Sequence, residues 1–254
     1  MPPGAGAGWI ALRAGELPAA PGPGEVQVFL ASLDNPPWPG ETLRAALEPA
    51  ELARAERFHF ERHRRHFIHA RGLLRHLLAR ALGSDPHALR FAFGPQGKPG
   101  LEAPEQTGPR TLDFNLSHSG GLGVVALSDG ASVGVDIEAP RAVPELLAIA
   151  RQNFAAGELA TLQALPAGQQ PDAFLACWTR KEAFVKALGG GLSVALDSFE
   201  VSLDPRQPAQ LLSSADPRHP REEFTLGANR TPEGAWTAVV VRRARASLRT
   251  FSLL

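Results

Sequence analysis

Two carboxylates stand two residues apart in the segment 134–138, which reads Gly-Val-Asp-Ile-Glu. On a β-strand, alternate side chains share a face, so Asp136 and Glu138 lie side by side while the apolar residues between them enter the core. Adjacent like charges are unfavourable unless a cation neutralises them, and Mg²⁺ prefers one or two carboxylates together with water and phosphate oxygens. The pattern fits a magnesium site, but a solvated strand face gives the same Asp-x-Glu spacing.

A second group of charges lies in the segment 178–186, Trp-Thr-Arg-Lys-Glu-Ala-Phe-Val-Lys. Glu182 and Lys186 are four residues apart, so they share a face of the helix predicted there. Taken alone, this spacing is typical of a surface ion pair that contributes about 0.3–0.5 kcal/mol. Lysine is scarce, however: only Lys98, Lys181 and Lys186 occur among 26 basic residues. Because a planar guanidinium cannot replace the compact lysine ammonium, each of these positions is a candidate for a chemical role.

Hydroxyl groups, one histidine and two glycines follow one another in the segment 115–121, Asn-Leu-Ser-His-Ser-Gly-Gly. Glycine allows backbone N–H groups to approach an anion closely, and Ser117 and His118 add hydrogen-bond donors. The same residues also suit a simple turn with local side-chain hydrogen bonds. The segment lacks the Gly-x-Ser-x-Gly spacing of a nucleophile elbow.

Arginine and histidine are concentrated in residues 54–80, and Lys98 lies on a tight Gly-Lys-Pro loop. For most of these basic residues a solvated helix face is the ordinary explanation. His59 and His63 are four residues apart, as metal-binding histidines on helices are. No partner motif of the HExxH kind accompanies them, so a zinc site is not expected.

The spacing of apolar residues predicts the elements that position these groups. Helices are predicted at residues 49–58, 61–82 and 172–188, with one or two more within 144–165. Strands are predicted at 26–33, 89–93, 112–116, 122–127, 132–138, 199–203, 224–227 and 236–241. The pair Asp129-Gly130 predicts a hairpin between the strands at 122–127 and 132–138. Because helices and strands do not alternate regularly, the fold class is α+β rather than a doubly wound sheet.

The composition excludes several classes of protein. The chain has 254 residues, of which 44% are hydrophobic and 20% charged, as in globular proteins. A formal net charge of zero gives no overall attraction to nucleic acid or to an anionic membrane, and no apolar run approaches the roughly 20 residues of a membrane helix. A single cysteine, Cys177, excludes an intrachain disulfide and a cysteine-rich metal site. Together with a start that lacks the pattern of a signal peptide, it predicts a cytoplasmic protein.

Four motifs follow one another along the chain: Gly-Lys-Pro at 97–99, Asn-Leu-Ser-His-Ser at 115–119, Gly-Val-Asp-Ile-Glu at 134–138 and Trp-x-x-Lys-Glu-Ala-x-x-Lys at 178–186. In this order and spacing they resemble the Sfp-type 4′-phosphopantetheinyl transferases, over more than half of the chain. The last two motifs are the most specific. The resemblance implies two similar α/β halves related by a pseudo-twofold axis, with coenzyme A bound in the cleft between them. We place the N-terminal half at residues 1–125 and the C-terminal half at 126–254.

The resemblance implies the chemistry as well. A magnesium enzyme of this family moves the 4′-phosphopantetheine arm of coenzyme A onto a serine of an apo acyl- or peptidyl-carrier protein and releases 3′,5′-ADP. Asp136, Glu138 and Glu182 would then bind Mg²⁺ on the pyrophosphate. Glu182 would act as general base, directly or through a metal-bound water, and Lys186 would stabilise the departing 3′,5′-ADP.

The resemblance assigns groups of both halves to the binding of coenzyme A. They are Arg54, Lys98, Asn115, Ser117, His118 and Lys186. Ser117 and His118 would hold the 3′-phosphate, with Asn115 nearby, while Arg54 and Lys98 would contact phosphates. Glu51 stands where family members often have a lysine, so one phosphate contact of the family is not expected here.

The implied partners are coenzyme A and a carrier protein, and a two-halved family implies a monomer. Carriers of fatty-acid, polyketide, nonribosomal-peptide and lysine biosynthesis all fit. Two other classes stay open on the residues alone. A non-enzymatic module that binds coenzyme A or a nucleotide would need Lys98, Ser117 and His118, but not Asp136 together with Glu182. A nucleic-acid binder would use residues 54–80, although zero net charge and the lack of interleaved aromatic residues count against it.

Overall fold

The computed structural model of the protein describes residues 8–102 and 111–254, and of Leu192 only the backbone. Its helices are α1 (Gly40–Ala45), α2 (Pro49–Glu56), α3 (Glu61–Leu82), α4 (Leu146–Asn153), α5 (Ala156–Ala164) and α6 (Gln170–Leu188). Its strands are β1 (Ile10–Leu12), β2 (Glu25–Ser32), β3 (Phe91–Phe93), β4 (Pro99–Leu101), β5 (Asp113–Ser119), β6 (Leu122–Ser128), β7 (Val133–Glu138), β8 (Phe199–Val201), β9 (Leu211–Ser214), β10 (Thr225–Arg230), β11 (Trp236–Val241) and β12 (Ser247–Leu253). None of the described helices is both long and apolar enough to span a membrane.

The order of the elements repeats along the chain. In the first half, β2 is followed by three helices, of which α3 is the longest, and then by the antiparallel pairs β3–β4 and β5–β6. In the second half, β7 is followed by α4, α5 and the long α6, and then by the pairs β8–β9 and β10–β11. The strand order repeats too, as β2-β6-β5 in one sheet and β7-β11-β10 in the other. The predicted α+β fold of two similar α/β halves related by a pseudo-twofold axis is therefore confirmed.

The last strand of the chain belongs to the sheet of the first half. β12 pairs in parallel with β2, and β1 pairs in parallel with β12, which gives the order β1-β12-β2-β6-β5. Phe251 of β12 stacks on Phe29 of β2 with ring centroids 5.2 Å apart. The apolar core of the first half thus depends on residues from the far end of the chain.

The alternation of β7 decides which of its residues reach the site. Val135 and Ile137 pack in an apolar cluster with residues of β2 and β6, between the two sheets. On the other side of each sheet a long helix covers the surface: Leu74 of α3 packs on the first sheet and Phe184 of α6 on the second. Asp136 therefore faces α6, as the period of a strand requires.

The predicted hairpin around Asp129-Gly130 is wrong. β6 pairs with β2 and β5, whereas β7 pairs with β11, so the two strands belong to different sheets. Gly130, with φ of 93°, permits a sharp change of direction, and the same turn signal serves a crossover as well as a hairpin. The expected boundary between residues 125 and 126 falls inside β6, and we propose that the halves divide at this turn instead.

The strand predicted at 112–116 continues through Ser117 and His118, where the sequence also suited a turn. β5 extends from Asp113 to Ser119, and the chain turns only at Gly120 and Gly121, which have φ of 59° and 84°. These left-handed conformations suit glycine because it has no Cβ atom. Ser117 and His118 therefore point to opposite faces of the sheet.

Candidate active site

Strand β7 and helix α6 are in backbone contact at Gly134. A Cβ atom at this position would lie 2.2 Å from the carbonyl oxygen of Ala183 and 2.2 Å from the amide nitrogen of Ala187. Only glycine therefore lets the strand approach the helix so closely. The contact brings Asp136, the next residue on this face, beside Lys186, with 2.5 Å between Oδ1 and Nζ.

A hydroxyl group from the first half completes a polar triangle. Ser117 of β5 donates a hydrogen bond to Asp136 Oδ1 at 2.8 Å, and Lys186 Nζ donates to Ser117 Oγ at 3.1 Å. Asp136 is only 5% exposed, and no donor among the described residues reaches its other oxygen, Oδ2. Because a buried oxygen without a partner is unfavourable, the triangle presents one acceptor that a ligand can satisfy.

Glu182 lies half-buried one turn before Lys186 on α6. Burial raises the pKa of the Glu182 carboxyl group, and the negative charges of Asp136 and Glu138 raise it further, whereas Lys186 lowers it. The three predicted metal ligands therefore act on one another electrostatically. The raised pKa makes Glu182 a better proton acceptor near neutral pH than a freely exposed glutamate.

Glu138 occupies the rim of the site, at the end of β7. Its Oε2 accepts a hydrogen bond from Ser119 Oγ at 3.2 Å and lies 3.3 Å from the guanidinium of Arg141. Asp136 lies deeper on the same face of the strand. The two carboxylates are therefore side by side, as the Asp-x-Glu spacing predicted.

The carboxylates do not form a ready metal cage. Within residues 8–102 and 111–254, no group of three His, Cys, Asp or Glu side chains converges as a metal site. Lys186 instead lies against Asp136. These oxygen donors nevertheless fit a hard divalent cation. Asp136 Oδ2 has no partner among the described residues, and the carboxylates of Glu138 and Glu182 are close enough to interact electrostatically with each other. Mg²⁺ commonly binds through one or two carboxylates and the phosphates of a substrate, so it needs no preformed cage.

Side chains of β5 hold the edge of β7 where the two sheets meet. Three of them accept hydrogen bonds from backbone N–H groups of the second half, at 2.7, 2.9 and 3.2 Å: Asp113 from Val133, Asn115 from Val135 and Ser119 from Ala139. Asn115 thus has its side-chain oxygen on β7. Sequence reasoning did not find Asp113 and Ser119, although the polar alternation at 113, 115, 117 and 119 was a signal for them.

Lys98 lies at the start of this joint. Its Nζ is 2.8 Å from Asp113 Oδ2 and 2.9 Å from the carbonyl oxygen of Val133. Its aliphatic chain passes close to Gly189, at the end of α6. The ammonium therefore ties the β3–β4 loop to both halves, and it also lines the cleft described below.

His118 is an exposed residue on the opposite face of β5 from Ser117. Partial burial of the ring lowers the pKa of His118, and electrostatic repulsion from His66, Lys186 and His63, where each histidine is protonated, lowers it further. The beginning of α3 is therefore within electrostatic reach of this imidazole. Electropositive surroundings of this kind favour an anionic ligand.

The basic residues near His118 are organised by Asp34. Its carboxylate lies 2.8 Å from His66 Nε2 and accepts hydrogen bonds from Arg62 at 3.3 Å and from Arg65 at 3.2 Å. The hydrogen bond from His66 contributes most to lowering the pKa of Asp34 to about 2. Asp34 Oδ2 also lies so close to Gly121 that a Cβ there would be 2.6 Å away. The cluster is thus fixed against the turn that follows β5.

Arg54 and Glu51 lie farther along the basic helices. Arg54 is exposed on α2, and its guanidinium carbon is 5.3 Å from the centroid of the Phe67 ring. No hydrogen bond or ion pair found among the described residues joins it to the triangle. Glu51 accepts hydrogen bonds from Arg71 at 2.6 Å and from Arg75 at 2.7 Å. The acid at this position therefore holds α2 on α3.

A cleft of about 560 Å³ opens beside Glu182 and Lys186. Its walls come from both halves, since Lys98 and Asn115 line it from the first half and the end of α6 from the second. Apolar side chains of the second half complete the lining, namely Val185, Val194 and Leu196. The polar triangle thus borders a cavity between the halves.

Comparison with known proteins gives two adjoining matches to family models. One, described as the 4′-phosphopantetheinyl transferase superfamily, matches residues 132–240. The other, described as 4′-phosphopantetheinyl transferase, N-terminal, matches residues 37–129. The two matches meet at the turn between β6 and β7, where the element order begins to repeat.

Curated relatives cover most of the chain. The 4′-phosphopantetheinyl transferase HetI of Nostoc is 38% identical over 187 residues, which are 74% of this chain and 78% of that protein. A 4′-phosphopantetheinyl transferase of Bacillus subtilis is 34% identical over 180 residues, which are 70% of this chain and 77% of that protein. Among solved structures, a holo-(acyl-carrier-protein) synthase of Bacillus anthracis is 21% identical, with a TM-score of 0.37, and the likeness covers 45% of this chain and 96% of that one. By its identity to HetI and to the Bacillus subtilis enzyme over more than three quarters of each, the chain belongs to the 4′-phosphopantetheinyl transferase superfamily.

Proposed function

We propose that the protein transfers the 4′-phosphopantetheine group of coenzyme A to a serine hydroxyl of an apo acyl- or peptidyl-carrier protein and releases 3′,5′-ADP. The main support is the contact of Lys186 with Asp136 and Ser117, because Lys186 and Glu182 also line the cleft. A module that only binds a nucleotide has no use for three mutually repelling carboxylates at this place.

Glu182 is the proposed general base. A serine hydroxyl is a weak nucleophile, and it must lose its proton as its oxygen attacks the β-phosphorus of coenzyme A. Burial and the neighbouring acids raise the pKa of Glu182, which strengthens its affinity for this proton. As the new P–O bond forms, the bond to the 3′,5′-ADP oxygen breaks, and the proton stays on Glu182 or passes to solvent.

Lys186 is the proposed stabiliser of the leaving group. Two of its three N–H bonds point to Asp136 and Ser117, which fix the ammonium at the mouth of the cleft. The third would be available to a pyrophosphate oxygen of coenzyme A. A positioned ammonium offsets the negative charge that develops on the departing phosphate, and positioning contributes most of the rate in phosphoryl transfer.

Asp136, Glu138 and Glu182 are the proposed ligands of Mg²⁺. A bound Mg²⁺ would supply positive charge to the pyrophosphate oxygens and orient them for in-line attack. The buried Oδ2 of Asp136, which lacks a partner among the described residues, supports its place in this set. Glu138, bonded to Ser119 and Arg141, would join from the rim.

The nucleotide end of coenzyme A is proposed to bind on the first half. His118, with the imidazoles of His63 and His66 near it, suits the 3′-phosphate, and Arg54 and Lys98 would add positive charge along the phosphates. Because Ser117 bonds to Asp136 and Lys186, we assign it to the pyrophosphate side of the site. One chain supplies all of these groups, so we propose that the protein acts as a monomer. We also propose that it acts in the cytoplasm.

The test is incubation of the purified protein with coenzyme A, MgCl₂ and a panel of apo carrier proteins, followed by mass spectrometry of the carriers. We expect at least one carrier to gain the phosphopantetheine mass, and we expect a chelator to prevent the gain. Absence of any gain across the panel would contradict the transfer, and a gain that is indifferent to the chelator would contradict the role of the metal.

A further inference from the structure

A buried ion pair joins α6 to α5 and β8. Lys181 Nζ lies 2.7 and 2.6 Å from the two carboxylate oxygens of Glu158 and 2.8 Å from the carbonyl oxygen of Phe199. Glu158 also accepts hydrogen bonds from the backbone N–H groups of Val201 at 2.7 Å and Ala155 at 2.8 Å. The side chains of Lys181 and Glu158 are 1% and 0% exposed. The three hydrogens of the ammonium are thus all used, and both oxygens of the carboxylate are bonded.

Stability does not explain why two charges are buried here. Removing charges from water carries a desolvation cost of several kcal/mol for each ion, and replacing a buried pair by apolar residues of similar volume is often neutral or stabilising. Lys181 Nζ lies 4.3 Å from the centroid of Phe199 and 5.9 Å from that of Phe154, and these cation–π contacts offset only part of the desolvation cost. Burial raises the pKa of Glu158 against the opposing effect of Lys181. The pair therefore calls for another explanation.

The contact with Gly134 limits how α6 can lie on β7, but apolar packing alone adds little that fixes the rotation of the helix about its axis. Five successive residues, Ala173 to Cys177, are buried, and farther along the helix only one side, with Trp178, Glu182 and Lys186, is partly exposed. The hydrophobic effect has no direction, so the apolar burial of a helix that is covered on most sides changes little over a small rotation. Directional hydrogen bonds can select one rotation. Lys181 makes three such bonds, and Arg180 adds bonds to the carbonyl and hydroxyl oxygens of Ser202.

We propose that the Lys181–Glu158 pair is a positioning element, which fixes the rotation of α6 so that Glu182 and Lys186 face Asp136. Lys181 directly precedes Glu182, and successive residues of a helix differ by about 100° in direction. A rotation of α6 by about 20° would move its side-chain tips by about 2 Å. A misplacement of about 1 Å can reduce a rate about 100-fold. This inference rests on the proposed function and names what holds its residues in place.

The double variant Lys181→Met/Glu158→Leu removes both charges and keeps the volume similar. We expect its melting temperature to fall moderately, because the backbone groups of Ala155, Val201 and Phe199 lose their side-chain partners. We expect its kcat for transfer to fall about tenfold or more, because Glu182 is no longer held in register. Mn²⁺ is a second probe, since its binding with 3′,5′-ADP can be followed by electron paramagnetic resonance without turnover. We expect this affinity to weaken about tenfold in the double variant.

Leu162→Ala is the matched control. Leu162 lies in α5 and is fully buried, so its truncation leaves a cavity and lowers the melting temperature. The Leu162 side chain takes no part in the hydrogen bonds of Lys181 and Glu158. We expect this variant, measured below its melting transition, to keep the kcat and the Mn²⁺ affinity of the parent. A loss of kcat in the double variant but not in Leu162→Ala would then be due to the missing ion pair and not to lower stability.

A double variant with the kcat and Mn²⁺ affinity of the parent would overturn the positioning role. If that variant does not melt cooperatively, Glu158→Gln provides the decision, because the amide has the same shape and no charge. A lowered kcat with an unchanged KM for coenzyme A supports the proposal, and a parent-like kcat overturns it. A parent protein that modifies no carrier would contradict the proposed function instead, and the Mn²⁺ titration would still decide the positioning role.

Discussion

At the scale of single residues, the site brings together carboxylates that repel one another. Burial, Asp136 and Glu138 all disfavour the ionised form of Glu182, and only Lys186 favours it. The ionised carboxylate is therefore a source of strain in the metal-free protein, of the kind that functional sites retain for chemistry. This strain can be measured without any assay of transfer.

Glu182→Gln is expected to raise the melting temperature of the metal-free protein at neutral pH. Because the pKa of Glu182 is raised in the folded protein, the folded chain binds this proton more tightly than the unfolded chain does. The resulting stability is lost as pH rises from the ordinary glutamate pKa through the raised one. The neutral amide removes this loss. Calorimetry from about pH 4 to about pH 8 should show that the melting temperature of the variant exceeds that of the parent by an amount that grows with pH. Equal melting temperatures throughout would show that Glu182 is not opposed in this way.

His118→Ala is expected to weaken the binding of coenzyme A about tenfold, since the 3′-phosphate loses a hydrogen-bond donor in positive surroundings. Dephospho-coenzyme A lacks that phosphate, so its affinity should change little. Isothermal titration of both ligands measures the difference. His87→Ala, at an exposed residue of the loop after α3, is the control. An equal loss for the two ligands would remove His118 from the 3′-phosphate site.

At the scale of elements, the backbone contact at Gly134 sets the distance between β7 and α6. Gly134→Ala is expected to destabilise the protein by about 3 kcal/mol, because the new methyl group would meet backbone atoms that cannot rotate away. Urea unfolding measures the change. Gly168→Ala is the control, since a Cβ there has no atom within 4 Å, and we expect a change of at most about 0.5 kcal/mol. Similar values for the two variants would contradict the close contact.

The elements that the sequence predicted are those with a strong local pattern. α3 has the predicted bounds because its buried residues recur at helical spacing, and β11 was found because it is a continuous apolar run that is buried throughout. β12 was missed, since its polar residues alternate with apolar ones only briefly. The hairpin at Asp129 was wrong because a turn signal does not say which sheet the next strand joins.

In the site, too, local motifs were predictable from the sequence and contacts between distant segments were not. The motifs placed Asp136, Glu182 and Lys186 together, and the structure brings Asp136 to Lys186 across 50 residues of chain. The partner of Lys181 could not be predicted, because Glu158 lies 23 residues away in a helix of ordinary sequence. Contacts between distant segments depend on packing that a single sequence does not display.

At the scale of the whole molecule, the two halves are not independent, because β12 lies beside β2 in the first sheet. Phe251→Ala is expected to destabilise the protein by about 3–5 kcal/mol, since the ring is 1% exposed and stacks on Phe29. Leu254→Ala, three residues on and 71% exposed, should cost less than about 0.5 kcal/mol. Chemical denaturation followed by fluorescence compares the two. An unaffected Phe251→Ala variant would mean that the first half holds together without its last strand.

The repeat also explains why the site lies where it does. Each half places its long helix on one face of a three-stranded unit, and the joint between β5 and β7 is the place where the sheets meet edge to edge. Ser117 comes from one half, and Asp136, Glu182 and Lys186 come from the other. A cleft at such a joint can hold a substrate that touches both halves.

The most direct measurement is the rate of magnesium-dependent mass gain by an apo carrier protein with the parent, Asp136→Ala, Glu182→Gln and the exposed-carboxylate control Glu233→Gln. We expect parent-like transfer by Glu233→Gln, and a loss of about 100-fold or more by each of the other two variants, with their folds intact by circular dichroism. Turnover near that of the parent in Asp136→Ala or Glu182→Gln would contradict it.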